Sequence, residues 1–145
     1  MDRLANKLVR RAEKAASDTD NPLKAAEAAL ESVLKALSTQ KRLARLLVTQ
    51  GYSMGSAFEA KRAEVFDRFA RVIVEKLNEA KSACQIGEVD VELASRVWLG
   101  ALNEVVVHWL FSDGPSPRDS AQELKKLLVS SLMSASTLSE GEIDS

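Results

Sequence analysis

Residues 97–111, VWLGALNEVVVHWLF, form a helix-length run that is apolar on nearly every side. Such a helix cannot lie on a monomer with one face in water. It must be covered on more than one side, which calls for a core and a second subunit. The fifteen residues are interrupted by Asn103, Glu104 and His108, and they fall short of the roughly 18 uninterrupted apolar residues that a membrane-crossing helix needs. The expected burial is protein against protein, with no membrane partner.

A chain of 145 residues that is 46% hydrophobic has the size of one domain with a real core. Its 20 Lys and Arg against 21 Asp and Glu leave a formal charge of -1. That balance lacks the broad positive field that phosphate backbones attract, so no direct nucleic-acid contact is expected. The single cysteine, Cys84, precludes an internal disulfide and fits a reducing, cytoplasmic setting. One histidine and one cysteine supply neither a catalytic triad nor a metal set, and no motif points to a cofactor; we expect no enzyme. The N-terminus has a charge at its second position and no apolar run behind it, unlike a secretory signal.

Six glycines and three prolines fall between segments whose apolar residues recur every three or four positions, the pattern of an all-α bundle of about six helices. The first helix, about 2–17, carries Leu4, Leu8, Ala12 and Ala15 on one face. Around the rest lie Arg3, Lys7, Arg10, Arg11 and Lys14, read here as a solvated basic face. Asn21 followed by Pro22 suits an N-cap and first position for a second helix burying Leu23, Ala26, Leu30, Val33, Leu34 and Leu37. A third helix is expected near 39–49. Ser56 with Glu59 forms a capping box that opens the longest helix, about 57–84, whose stripe is Phe58, Val65, Phe66, Phe69, Ile73, Leu77, Ala80 and Cys84. On its outside, Glu64 to Arg68 and Asp67 to Arg71 are acid-before-base pairs at helical spacing. Asp90 caps the helix that contains the apolar run, and Ser116 and Pro117 open a last helix, about 117–135, presenting Ala121, Leu124, Leu127, Leu128 and Leu132. Residues 136–145 read as a short, flexible, acidic tail.

From about Leu43 onward the order and pattern resemble the C-terminal regulatory domain of the bacterial tetracycline-repressor (TetR) family. The resemblance is carried by Arg45 to Gly51, the long helix from 57, Ile86 to Ala94, Trp98 to Asn103, Trp109-Leu110, and Ala121 to Leu124 with Leu127-Leu128. With the first two helices it covers most of residues 1–135, taken as one helical regulatory domain. It implies a small effector bound between helices, a homodimer formed through the last two helices, and a first helix that links to a DNA-reading part. The family's N-terminal helix-turn-helix has no counterpart in these residues. Either that part has been cut off, leaving DNA contact to a missing domain or a partner, or the gene encodes a regulatory domain alone. In the second case the alternative role is an interaction protein that forms mixed dimers with complete family members.

On a helical wheel at 100° per residue, Ala94, Trp98, Ala101, Leu102, Val105 and Trp109 gather on one side and Gly100, Val107 and Phe111 on the other. The first set is assigned to the core or a pocket. The second set, with Glu104 and His108 flanking it and Leu124, Leu128 and Leu132 from the last helix, is assigned to the partner subunit. Glu104 and His108, four apart, suit a structural ion pair or hydrogen bond. Phe58, Phe66, Phe69 and Ile73, facing Trp98, Leu102 and Val105, form an apolar wall that is either solid core or the lining of a pocket for a small hydrophobic ligand. Arg62 falls inside that stripe, where it either pairs with a ligand anion or keeps its head in solvent. Tyr52 and Met54 lie at the turn where a pocket entrance would be.

Overall fold

In the computed structural model the backbone is described for residues 2–48 and 56–144, and the side chains for 3–47 and 60–133. Among these residues there are six helices and no strand: α1 (Asp2–Ser17), α2 (Pro22–Thr39), α3 (Lys41–Val48), α4 (Ser56–Ser82), α5 (Val91–Ser112) and α6 (Pro117–Asp144). Local chemistry sets several of the ends. Asn21 Oδ1 accepts from the Lys24 amide at 3.2 Å with Pro22 at the first position of α2. Asp90 Oδ1 accepts from the Leu93 amide at 3.1 Å and Ser116 Oγ from the Asp119 amide at 3.1 Å. Each bond satisfies a backbone donor that a helix start leaves without a partner. The expected Ser56 and Glu59 box lies outside the described side chains, as do Tyr52 and Met54. α6 continues beyond residue 135 to Asp144.

The hub of the bundle is α2, not the apolar run in α5. It packs against α1, α3, α4, α5 and α6, because Ala25, Ala26, Ala29 and Ala36 let its neighbours approach while Leu30, Val33, Leu34 and Leu37 fill the spaces between them. On α1 the buried face is Ala5, Leu8, Val9, Ala12 and Ala16, rotated from the expected stripe; Leu4 is exposed. On α4, Phe69, Ile73, Leu77 and Ala80 are buried as expected, but Cys84 is exposed at a left-handed φ of 61° just past the helix.

Polar ties fix how the helices meet. Gln85 accepts from the Leu23 amide at 3.1 Å and donates to Asn21 Oδ1 at 2.8 Å, so the end of α4 is fastened to the start of α2. Arg68 donates to Asn6 Oδ1 and joins α4 to α1. It does so in place of the expected pairing with Glu64, which lies 3.9 Å from Lys61 instead. Glu31 of α2 pairs with Lys35 at 2.6 Å and with Lys125 of α6, and these two ammonium groups hold its carboxyl below the usual carboxylate range.

Candidate functional site

An apolar cavity of about 20 Å³ lies where α1, α2, α4 and α5 meet, lined by Leu8, Val9, Val33, Leu37, Val65, Phe66, Phe69 and Leu102. It has room for little more than one water-sized sphere. In this conformation the aromatic wall is nearly solid core, with a gap left at its centre. Phe66, Phe69 and Leu102 line the cavity as a pocket reading requires. Ile73, Trp98 and Val105 do not: Ile73 and Trp98 are buried in the surrounding core and Val105 is half-buried. The side chain of Phe58 lies outside the described residues. Leu8, Val33 and Leu37 are walls that the helical spacing assigned only to packing, and Val9 is one that it did not place on the buried face, since such spacing shows which face is apolar but not which helix stands opposite.

Phe66 is shared with a second hollow, an open groove of about 350 Å³ between α4 and α5 lined by Arg62, Asp67, Arg96, Leu99, Gly100 and Asn103 among others. The Arg62 guanidinium stands 4.9 Å from the centre of the Phe66 ring and donates through Nε to the Leu47 carbonyl. It therefore stacks on the wall of the cavity instead of extending into solvent, a favourable placement for a cation on an aromatic face. Asn103 Oδ1, also in the groove, is buried with no hydrogen-bond partner among the described residues. A buried acceptor in that state awaits a donor. One phenylalanine thus stands between a small apolar hollow and a groove carrying two arginines and an unmatched amide oxygen.

The outer face of α5 is open. Leu93, Val97 and Phe111 are 60%, 52% and 57% exposed. With Gly100 and Glu104 exposed and Val107 half-buried, they fall within one stripe on the wheel, and exposed His108 borders it. The buried residues Val91, Ser95, Trp98, Leu99, Leu102 and Val106 define the opposite face, shifted from the expected one toward Ser95 and Val106. On α6 the expectation is corrected. Leu124, Leu128 and Leu132 are 9%, 6% and 4% exposed and form part of the protomer's own core, whereas Leu127 and Met133 point outward. The inward leucines follow α6 packing on α2 and α5. The expected Glu104 and His108 bond is also not formed among the described residues; the His108 ring lies over Gly114, where an added Cβ would strike it.

Residues 1–131 match the family described as YsiA-like protein, C-terminal region, one of the TetR C-terminal domain families. The chain belongs to that family. The domain also superposes on the fatty acid degradation regulator FadR from Bacillus halodurans with a TM-score of 0.77 at 20% identity, over 86% of this chain and 68% of that one. At that identity the likeness shows the fold. No curated protein sequence matches the chain significantly. The chain is thus a regulatory, ligand-binding type of domain of a TetR-like transcriptional regulator. No described helix is long and apolar enough to cross a membrane.

Proposed function

We propose that this domain is the sensing and dimerising part of a cytoplasmic, non-enzymatic bacterial transcriptional regulator. Its effector is a small, largely apolar molecule with a polar or acidic end. The observation that carries this reading is the position of Phe66 between the apolar cavity and the groove of Arg62, Arg96 and Asn103. An aliphatic tail displacing Phe66 would enter the space bounded by Phe69 and Leu102, and its head would stay beside the arginines, where charge-assisted bonds are strong. The structurally similar FadR is a fatty acid degradation regulator, which favours an aliphatic acid or a derivative of one. The cavity also touches α1 through Leu8 and Val9, so a ligand that widens it presses on the helix expected to lead to the DNA-reading part. Dimerisation is assigned to the exposed stripe of α5, with Gly100, Glu104, Val107, His108 and Phe111, together with Leu127 and Met133 of α6.

The test is thermal stabilisation of the domain by straight-chain carboxylic acids of graded length and by the matching alcohols. Midpoints should rise with chain length. Phe66→Trp, which fills the gap, should abolish the effect, and Arg96→Glu should weaken acids more than alcohols. An equal response in Phe66→Trp, or no response to any chain length, would refute the site.

A further inference from the structure

Further along the α1–α2 junction from the apolar cavity lies a larger open groove, about 480 Å³, lined by Arg11, Lys14 and Ala15 of α1, Asp18 just past its end, Ser32, Lys35, Ala36 and Thr39 of α2, and Arg118 of α6. Three separate helices bring four cations to it, against the single carboxylate of Asp18. Lys35 shares Glu31 with Lys125. Arg11, Lys14 and Arg118 have no ion-pair partner among the described residues. The clustering does not reflect a general excess of positive charge, since the whole chain carries -1. Like charges gathered in a concave surface repel one another and focus a positive potential there, an arrangement that an arriving anion relieves.

We propose that this groove binds a small soluble polyanion carrying two or more phosphate groups. The floor, Ala15 and Ala36, is small and lets a ligand settle between the cations, and the hydroxyls of Ser32 and Thr39 stand at its wall. α6 begins at this groove, and its positive dipole end adds to the field. Its first amides are already engaged, Arg118 N with Ser38 Oγ at 2.7 Å and Asp119 N with Ser116 Oγ at 3.1 Å, so the side chains supply the contacts. A recessed site between helices suits a compact ligand. A duplex or a lipid surface would instead follow the whole exposed basic stripe of α1, Arg3, Lys7, Arg10 and Lys14, without singling out Arg118. Occupancy joins the second half of α1 to α2 and α6 and opposes any separation of α1 from the bundle, so this site and the apolar cavity act on the same helix at neighbouring points along its junction with α2.

The experiment is calorimetric titration of the domain with inorganic pyrophosphate, with amide NMR shifts to map the contact. Binding should localise to residues around 11–18, 32–39 and 118. The double variant Arg11→Glu with Arg118→Glu should weaken it by about tenfold or more, whereas Arg71→Glu on α4 should bind as the wild type does. Because the replaced cations repel one another, the double variant should melt no lower than wild type, which separates lost binding from lost fold. The proposal is overturned if millimolar pyrophosphate gives neither heat nor shifts, if the double variant binds as the wild type does, or if shifts spread equally over α4. It is overturned in favour of a surface contact if duplex DNA or anionic phospholipid vesicles bind at the mapped residues and pyrophosphate does not displace them. None of these results depends on whether aliphatic acids occupy the cavity beside Phe66.

Discussion

Gly100→Leu separates the two environments that the outer face of α5 can have. In the protomer nothing stands within 4 Å of the position that a Cβ on Gly100 would take, so without effector a leucine there enters the open mouth of the groove between α4 and α5. Removing a glycine from the middle of a 22-residue helix should stabilise the isolated protomer by about 0.8 kcal/mol through helix propensity alone. In the proposed dimer the sign reverses. A glycine between Val97 and Glu104 on the exposed stripe lets a partner helix approach closely, and an isobutyl group inserted there overpacks the contact. The cost is roughly 1–3 kcal/mol per site, and a two-fold axis applies it twice. The dimer dissociation constant should then rise by roughly thirty-fold to twenty-thousand-fold.

Two measurements read the two signs independently. Urea unfolding at a dilution where the domain is monomeric should show the leucine variant to be the more stable. Sedimentation equilibrium over a concentration series should show it to be the weaker dimer. A variant that gains stability while keeping the wild-type dimerisation constant would place the subunit contact elsewhere and refute the assignment of Leu93, Val97, Gly100 and Phe111 to it. A variant that loses stability as a monomer would refute the open space around Gly100 on which the reasoning depends.

The ion pairs of Glu31 with Lys125 and Lys35 hold its carboxyl below the ordinary value of a free glutamate. Their stabilisation should be complete above the unfolded glutamate's value and be lost as the pH falls through the lower folded one. Glu31→Gln should therefore flatten the acid limb of the stability profile, and a double-mutant cycle with Lys125→Met should return about 1 kcal/mol of coupling at neutral pH; a coupling of zero would show the pair to be energetically idle. Cys84 sits in left-handed backbone at φ 61°, so Cys84→Gly should raise stability by about 1 kcal/mol in urea denaturation. A loss in that variant would mean that the thiol contributes packing that outweighs the relieved strain.

The helix order and the ends of α2, α5 and α6 were legible because capping is local. Asn21, Asp90 and Ser116 each bond an amide three residues on, within one turn of chain. What could not be read was which helix each apolar face meets. Leu124, Leu128 and Leu132 recur at helical spacing whether they face a partner or their own core, and only the packing of α6 on α2 decides for the core. The central place of α2 was hidden for a related reason. Four buried alanines announce that something comes close without saying what. The cavity belongs to the same class of unreadable fact, since Leu8, Val9, Val33 and Leu37 come to it from helices whose contact with Phe66 and Phe69 is set by the whole bundle.

The smallness of the cavity bears directly on how sensing would work. A space of about 20 Å³ cannot admit an aliphatic tail unless the four helices around it move, and densely packed interiors respond to insertion by shifting as bodies. α4 is fastened at its far end to α2 through Gln85, and nearer the cavity it is joined to α1 through Arg68 and Asn6. Lateral opening at Phe66 would therefore be expected to pivot α4 on the end that Gln85 holds and to strain its tie to α1 through Arg68 and Asn6. Such a motion would pull on α1 and tilt the α4 surface on which α5 packs. A ligand can drive it only by the difference in its affinity for the open and closed forms, so the open form must be the rarer one without effector. Under the effector and dimer assignments proposed above, α5 would connect the events, with Leu102 on its inner face beside the ligand's tail and Gly100 both lining the groove for its head and bordering the subunit contact.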